Sequence, residues 1–531
     1  MNREKILSIT ASLAMSFSLL SSTTVSATSA EKITANDGYI MGVKPMDEET
    51  LEKYRETLVF DNEYTRAANT RAALPSSVDL STSKYFPPIG NQGVGFGSCV
   101  AWATTYYQFT YEVNKLRDTA ANTNSNIFSP AWSWNYCNKG VQSEGSNSYE
   151  TYQILEQRGA TTIDVMPYNP SNYNYGWVTN QDDLLEALSI RKKTTTNAIS
   201  ISGQNTVITS NTDSDLNAVK TALNSGKVLN VETHMKFNQK LSTNSETVAY
   251  RFYTDTGINE GHSLTVVGYN DNIQCDVNGN GTIEPSEKGA FKVANSWGAS
   301  WENNGFFWVL YDSLNGLSAN TTNSWESSLT GTRKGAFVYN SVIYDTNTFR
   351  TMDVEEKELN FVGRLDLATN YRNLIYFSTY INNNSFDAYY SLYDETIFPF
   401  NGPILVDFNN CPNGDDPYTN YSGKSWQIRF NGKRDLWVGT SPAFRIIDNK
   451  GNTISNFGTL SSVLNSQTIN LQKGDLNYDG TINIVDLATL NQYVNGGDSN
   501  LSNVAKCLAD FDNNHIVNSA DLNTLSNMLL N

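Results

Sequence analysis

Four residues of this chain have the types and contexts for chemistry: Gln92, Cys99, His262 and Asn295. Cys99 ends the run NQGVGFGSC, in which glycines at 93, 95 and 97 let the backbone turn tightly. The following AWATTYYQFTYEVNKL (101–116) has no Gly or Pro and carries apolar residues at helical spacing. Cys99 is therefore expected in the first turn of a helix, where unpaired N–H groups and the positive dipole end favour thiolate over thiol. A thiolate nucleophile needs a base and a group to orient that base. Of three histidines, His262 opens the strand-like GHSLTVVGYND, His234 reads as a strand-end or cleft-lining residue, and His515 lies far downstream. Asn295 stands in FKVANSWGASWENNGFFWVL, between two strand-like runs. Its carboxamide can accept the imidazole N–H and fix the tautomer, with Trp297 shielding that bond from water. The Gln92 amide can donate to a developing oxyanion. Together these groups suit nucleophilic acyl transfer through a thioester.

The elements that must position them fall into two halves. Helical patterns occupy 101–116, 147–158 and 181–189; strand-like runs follow as VLNVETHM, SLTVVGY, AFKVANSW, GFFWVLY and AFVYNSVIY. Cysteine from the helical half and His and Asn from the strand-rich half place the site in the crevice between two lobes. Hydrophobic residues make up 39% of the 531, enough for several packed domains. The net charge of −17 argues against nucleic-acid binding, since phosphates would be repelled. Five scattered cysteines without a CxxC pair indicate neither a zinc ribbon nor a dense disulfide framework.

The order Cys, His, Asn, with NQG before the Cys and NSWG at the Asn, resembles the papain-type cysteine peptidases; LPSSVDL (74–80), FSPAW (128–132) and GATTIDVMPYNP (159–170) add to the likeness. The resemblance implies an α+β fold with a helical lobe and a β-rich lobe over residues 74–344. It implies Cys99 as nucleophile, His262 as base and acid, Asn295 as orienter, and Gln92 as oxyanion donor beside the Cys99 N–H. Three features depart from the family pattern. Six residues (93–98) rather than five separate Gln92 from Cys99; Val100 stands where Trp is usual; and Phe96 replaces a half-cystine, leaving Cys137 single.

Metal-binding spacing occurs three times. Between His262 and Asn295, DVNGNGTIEPSE (276–287) fits the twelve-residue calcium loop, with Asp276, Asn278, Asn280, Thr282, Glu284 and Glu287 as ligands around Gly281. An ion there is expected to rigidify the connection between His262 and Asn295. Near the C-terminus the pattern is doubled. DLNYDGTINIVD offers Asp475, Asn477, Asp479, Thr481, Asn483 and Asp486; DFDNNHIVNSAD offers Asp510, Asp512, Asn514, Ile516, Asn518 and Asp521. His515 takes the position-6 place, which needs positive φ. Two such loops, each running into one helix, resemble a dockerin module over 473–531. That resemblance implies two bound Ca²⁺ and calcium-dependent docking to a cohesin module of a scaffoldin. Loop positions 10 and 11, Ile484 and Val485 then Ser519 and Ala520, would carry partner choice.

Short alternating runs over 345–472 suggest a β-sandwich-like domain, whose Tyr389, Tyr390, Trp426 and Trp437 could stack on carbohydrate. Residues 1–27 read as a signal peptide, with Arg3 and Lys5 before an apolar core and VSA at its end, and no other run is long enough for a transmembrane anchor. The papain-type resemblance implies that residues 28–73 are a pro-segment, expected to block the cleft and to be removed near Arg66 or Arg71. The expectation is a secreted, extracellular peptidase held on a cellulosome or cell surface through its scaffoldin, acting on protein or peptide. The competing readings are a catalytically inactive papain-fold adhesion component and a carbohydrate-binding cargo.

Overall fold

The computed structural model describes residues 38–530 apart from 70–72, 172–175, 201–213, 235–237, 242–245, 252, 255–260, 277–279, 312–332, 335–347, 371–375, 382–383, 391–398, 409–421, 431–441, 461–464 and 497–499. The signal-peptide region and AFVYNSVIY lie outside the described residues. The helix that carries Cys99 forms where the Gly-free run predicts it. It starts α-helical at Cys99–Ala101, turns π-helical over Trp102–Phe109 and ends α-helical at Thr110–Arg117. Helices Pro130–Cys137, Ser148–Arg158 and Gln181–Ser189 complete the helical lobe. Asn147 caps the second of these in a capping box with Glu150.

The β-rich lobe is a ten-stranded sheet. Its centre is the long strand Gly261–Gln274, paired antiparallel with Leu229–His234 on one side and Lys288–Ala294 on the other. The site-proximal part of the long strand, Gly261–Tyr269, is buried throughout, as fits a sheet covered on both faces. Two strands within the expected β-sandwich range pair with the catalytic part of the chain instead: Thr348–Arg350 lies inside the ten-stranded sheet, between Thr196–Ser200 and Leu229–His234, and Val354–Glu356 forms a separate two-stranded sheet with Ile190–Lys192. The backbone N–H and C=O groups of both strands are thereby taken up by residues 190–234, before the β-sandwich begins. Two strands beyond the expected boundary at 345 thus pair with residues 190–234.

The following domain consists of two four-stranded antiparallel sheets. Their facing side chains, including Leu365, Phe400, Ile428 and Phe444, share one core. Trp426 is 1% exposed and packs on Phe361 and Phe408. It is a core residue, not a sugar platform, because its strand turns it inward. The side chains of Tyr389, Tyr390 and Trp437 lie outside the described residues. The same core continues into the C-terminal helices Ile484–Val494, Asn503–Ala509 and Ser519–Leu530 through Leu490, Val504, Leu508 and Leu525.

The N-terminal segment is built into the catalytic domain. Asp47 caps the helix Glu48–Glu56, and Leu58 pairs in parallel with Thr196. The helix Glu63–Asn69 buries Tyr64 and Ala68.

Candidate active site

Cys99 sits at the helix start as predicted, with Ser98 before it. His262 opens its strand, and Asn295 follows the last residue of Lys288–Ala294, so the two meet at the open end of one hairpin. His262 Nε2 lies 2.8 Å from Asn295 Oδ1. That Oδ1 also accepts the Ser296 N–H at 2.8 Å. Trp297, 7% exposed, lies 5.2 Å from the imidazole and covers it.

Gln92 is fully buried. Its backbone N–H donates to Ser296 O at 2.7 Å, and its side-chain Oε1 accepts the Ser296 hydroxyl at 2.6 Å. The amide Nε2 is thereby aimed into the cleft, where it donates to the Ile40 carbonyl at 2.9 Å and to Phe96 O at 2.8 Å. A polypeptide carbonyl thus rests on the predicted oxyanion donor.

Ile40 belongs to the N-terminal segment, which crosses the cleft. Val43 N–H donates to Gly261 O at 3.0 Å, Ser146 N–H to Gly42 O at 2.8 Å, and Lys44 N–H to Ser146 O at 2.8 Å. Tyr39 stacks on Trp297 with ring centroids 5.2 Å apart. Gly42 N–H donates to Cys99 Sγ at 3.2 Å. A Cβ on Gly42 would come within 2.1 Å of Gly97 O, so only glycine allows this approach.

The crossing strand corrects one expectation. Cys99 and His262 are both completely buried. Burial pushes the Cys99 thiol up to about 11, against the backbone N–H groups of Ser263 and Gly42. Burial also pulls the imidazole of His262 down to about 4, against the Asn295 bond. Beneath the strand the pair is neutral thiol and neutral imidazole, because desolvation outweighs the helix terminus. His262 Nδ1 makes no hydrogen bond among the described residues, so none joins it to Sγ in this state.

The calcium-type loops show a shared internal wiring. In 276–287, the Asn280 and Gly281 N–H groups donate to the Asp276 carboxylate, Thr282 N–H to Asn280 Oδ1, and Glu284 N–H to Glu287 Oε2. Asn278 lies outside the described residues. In 475–486 the equivalent bonds run from Asp479 and Gly480 to Asp475, from Thr481 to Asp479, and from Asn483 to Asp486. In 510–521 they run from Asn514 and His515 to Asp510, from Ile516 to Asn514, and from Asn518 to Asp521. His515 has φ +63, as its place requires. Side-chain oxygens of Asp510, Asp512 and Asp521 lie within 4.8 Å of one another, close enough to share one ion. The 276–287 loop caps the far end of the hairpin, with Cys275 N–H donating to Glu287 O at 3.1 Å. It separates His262 from Asn295 in sequence, not in space.

Residues 74–325 match the papain family cysteine protease model, and residues 473–530 match the dockerin type I domain. Xylellain, a cysteine protease from Xylella fastidiosa, is 16% identical, with 60% of this chain and 96% of that chain covered and a TM-score of 0.34. Digestive procathepsin L 3 of Tenebrio molitor larval midgut is 14% identical, with 58% and 82% covered and a TM-score of 0.32. The proform of Amb a 11, a ragweed pollen cysteine protease, is 16% identical, with 46% and 62% covered and a TM-score of 0.29. No match was found among curated proteins.

Proposed function

Since residues 74–325 are a papain-family cysteine protease domain and residues 473–530 a type I dockerin domain, we propose that the chain is a secreted peptidase zymogen tethered through its dockerin. The observation that carries this reading is the pair of contacts in the cleft: Ile40 carbonyl on Gln92 Nε2, and Gly42 N–H on Cys99 Sγ. The cleft holds extended peptide, yet the sulfur faces an N–H rather than a carbonyl carbon. The strand blocks the site without being cut.

With the strand displaced, His262 Nδ1 takes the Cys99 proton. The thiolate adds to the scissile carbonyl carbon, and the π pair moves to oxygen, held by Gln92 Nε2–H and the Cys99 N–H. The oxyanion re-forms the carbonyl, the C–N bond breaks, and imidazolium returns the proton to the leaving amine. Water, deprotonated by His262, then hydrolyses the thioester. Asn295 keeps the ring in place throughout.

Residues 28–73 act as the pro-segment. Arg66 lies within a helix between buried Tyr64 and Ala68, so cutting there requires unwinding; Arg71 lies outside the described residues. The dockerin loops hold two Ca²⁺ through the carboxylates, amide oxygens and carbonyls named above. Asp276, Asn278, Asn280, Thr282, Glu284 and Glu287 hold one more; bound calcium would fix each loop's backbone. Ile484 and Val485 are 69% and 53% exposed, free to meet a cohesin. Residues 1–27 direct export, and among the described residues no helix is long and apolar enough to cross a membrane.

A peptide-library cleavage profile tests the reading. Processed wild type should cleave and take one equivalent of a thiol-directed epoxide at Cys99, while Cys99→Ala should do neither. Equal activity in the two proteins, or none in either, would leave the inactive adhesion reading standing.

A further inference from the structure

The loop 93–98 sets the spacing between the two oxyanion donors, the Gln92 amide and the Cys99 N–H. It is one residue longer than the family pattern, and the half-cystine expected to brace it is Phe96. Cys137 is a buried free thiol. Gln92 is tied to Ser296 and Gly97 N–H to Gln142 O, but without the covalent brace something else must tie the two ends of the loop to each other.

That something is Tyr168. Its hydroxyl donates to Gln92 O at 2.6 Å, at the start of the loop. The same oxygen lies 2.8 Å from Ser98 Oγ, at the end of the loop. A phenol has one proton, and the carbonyl can only accept, so Ser98 must donate to Tyr168. The ring is fixed by Trp102 at 4.9 Å and Phe96 at 6.1 Å, and Phe96 in turn packs on Trp134 at 5.7 Å. Pro170 closes on the loop from the same segment: a Cβ on Gly93, at φ +82, would meet it at 2.8 Å.

We infer that Tyr168 is a positioning residue for the oxyanion hole, clamping both ends of the lengthened loop through one oxygen atom. The inference rests on the peptidase reading. It acts on the donors and leaves the thiol and imidazole alone, because Tyr168 touches neither.

The test is Tyr168→Phe in the full chain after processing. Trace wild-type enzyme, later quenched and removed, supplies the processed form if the variant does not process itself. Phe keeps the ring packing and removes the clamp. Loss of an oxyanion donor costs 10²–10³-fold in kcat, so loosening both should cost about tenfold or more. KM should stay within about twofold. A peptide aldehyde should bind weaker by the same factor as kcat/KM falls, since the Cys99 adduct places its oxygen on these donors. The rate and pH profile of Cys99 alkylation by iodoacetamide should not move. Ser98→Ala should lower kcat less, and the double variant should be no worse than Tyr168→Phe alone. A kcat within twofold of wild type overturns the inference, and so does a parallel fall in alkylation, which would mark a purely structural role. Failure of the peptidase reading itself would show earlier, as a wild type no more active than Cys99→Ala.

Discussion

Asn295 Oδ1 receives a backbone N–H from Ser296, so the atom facing the imidazole is oxygen, and His262 Nε2 must carry the proton. Nδ1 is then left as the basic nitrogen, buried and without a hydrogen bond among the described residues. The neutral ring has a consequence for stability. Its folded value of about 4 lies below the ordinary 6.5, so the unfolded chain binds more protons between these limits. Stability from this group is present above about pH 6.5, is lost as the pH falls toward 4, and levels off below. The loss is roughly 3 kcal/mol. Carboxylates titrate in part of the same window, so the difference between wild type and His262→Gln isolates it. Denaturant unfolding of the unprocessed chain should show wild type losing this much more stability than His262→Gln between pH 7 and 4. Parallel curves for the two proteins would mean the imidazole is not held neutral.

At the scale of elements, the hairpin Gly261–Gln274 and Lys288–Ala294 separates the candidate active site from the candidate calcium loop. The catalytic pair stands at one end and the 276–287 loop at the other, roughly 20–25 Å away along the seven-residue strand. Losing the ion should therefore cost stability and not turnover. At calcium a hundredfold above Kd, binding contributes about 2.7 kcal/mol. For a domain of this size that corresponds to a melting shift of roughly 5–10 °C. Glu287→Ala should lower the melting temperature by this amount and remove the chelator-sensitive part of the shift that survives in a chain lacking the dockerin carboxylates Asp486 and Asp521. Its kcat at low temperature should match wild type; a large fall in kcat would show the loop acting on the site after all. The shared turn pattern of 276–287, 475–486 and 510–521 was legible because each is written in twelve consecutive residues. Cys99, His262, Asn295 and Gln92 stand out in the sequence because each sits in its own short motif. Tyr168 was written in PYNP, but the hydroxyl's reach to Gln92 and Ser98 depends on a loop path that periodicity does not encode.

At the scale of the molecule, contacts chosen in space override divisions drawn along the chain. Thr348–Arg350 and Val354–Glu356 fall within the sequence range of the sandwich, yet the first inserts between Thr196–Ser200 and Leu229–His234 and the second pairs with Ile190–Lys192. A buried ion pair between Arg191 and Asp407 and the Arg158 bond to Leu405 O fasten the next domain to the helical lobe. Tyr478, inside a calcium loop, donates to Asp448 at 3.1 Å, joining the dockerin to that domain. The N-terminal segment follows the same rule, and it bears on activation. Leu51, Tyr54, Leu58 and Tyr64 are buried in the catalytic cores, and Asn62 Nδ2 donates to Ala198 O at 2.8 Å. Each such side chain contributes about 1.5–3 kcal/mol on burial, so residues 48–69 are held by far more than the peptide link at 70–72. The strand 38–46 is the part that covers Cys99. A site-specific protease sequence placed at 70–72 should therefore be cut without unblocking the cleft, and native mass should keep the fragment with the enzyme. The same sequence placed between Met46 and Glu48 should release the strand and raise epoxide labelling of Cys99 at least tenfold. Full labelling after the cut at 70–72, with the fragment gone, would show that the whole segment leaves as a unit and that its burial does not hold it.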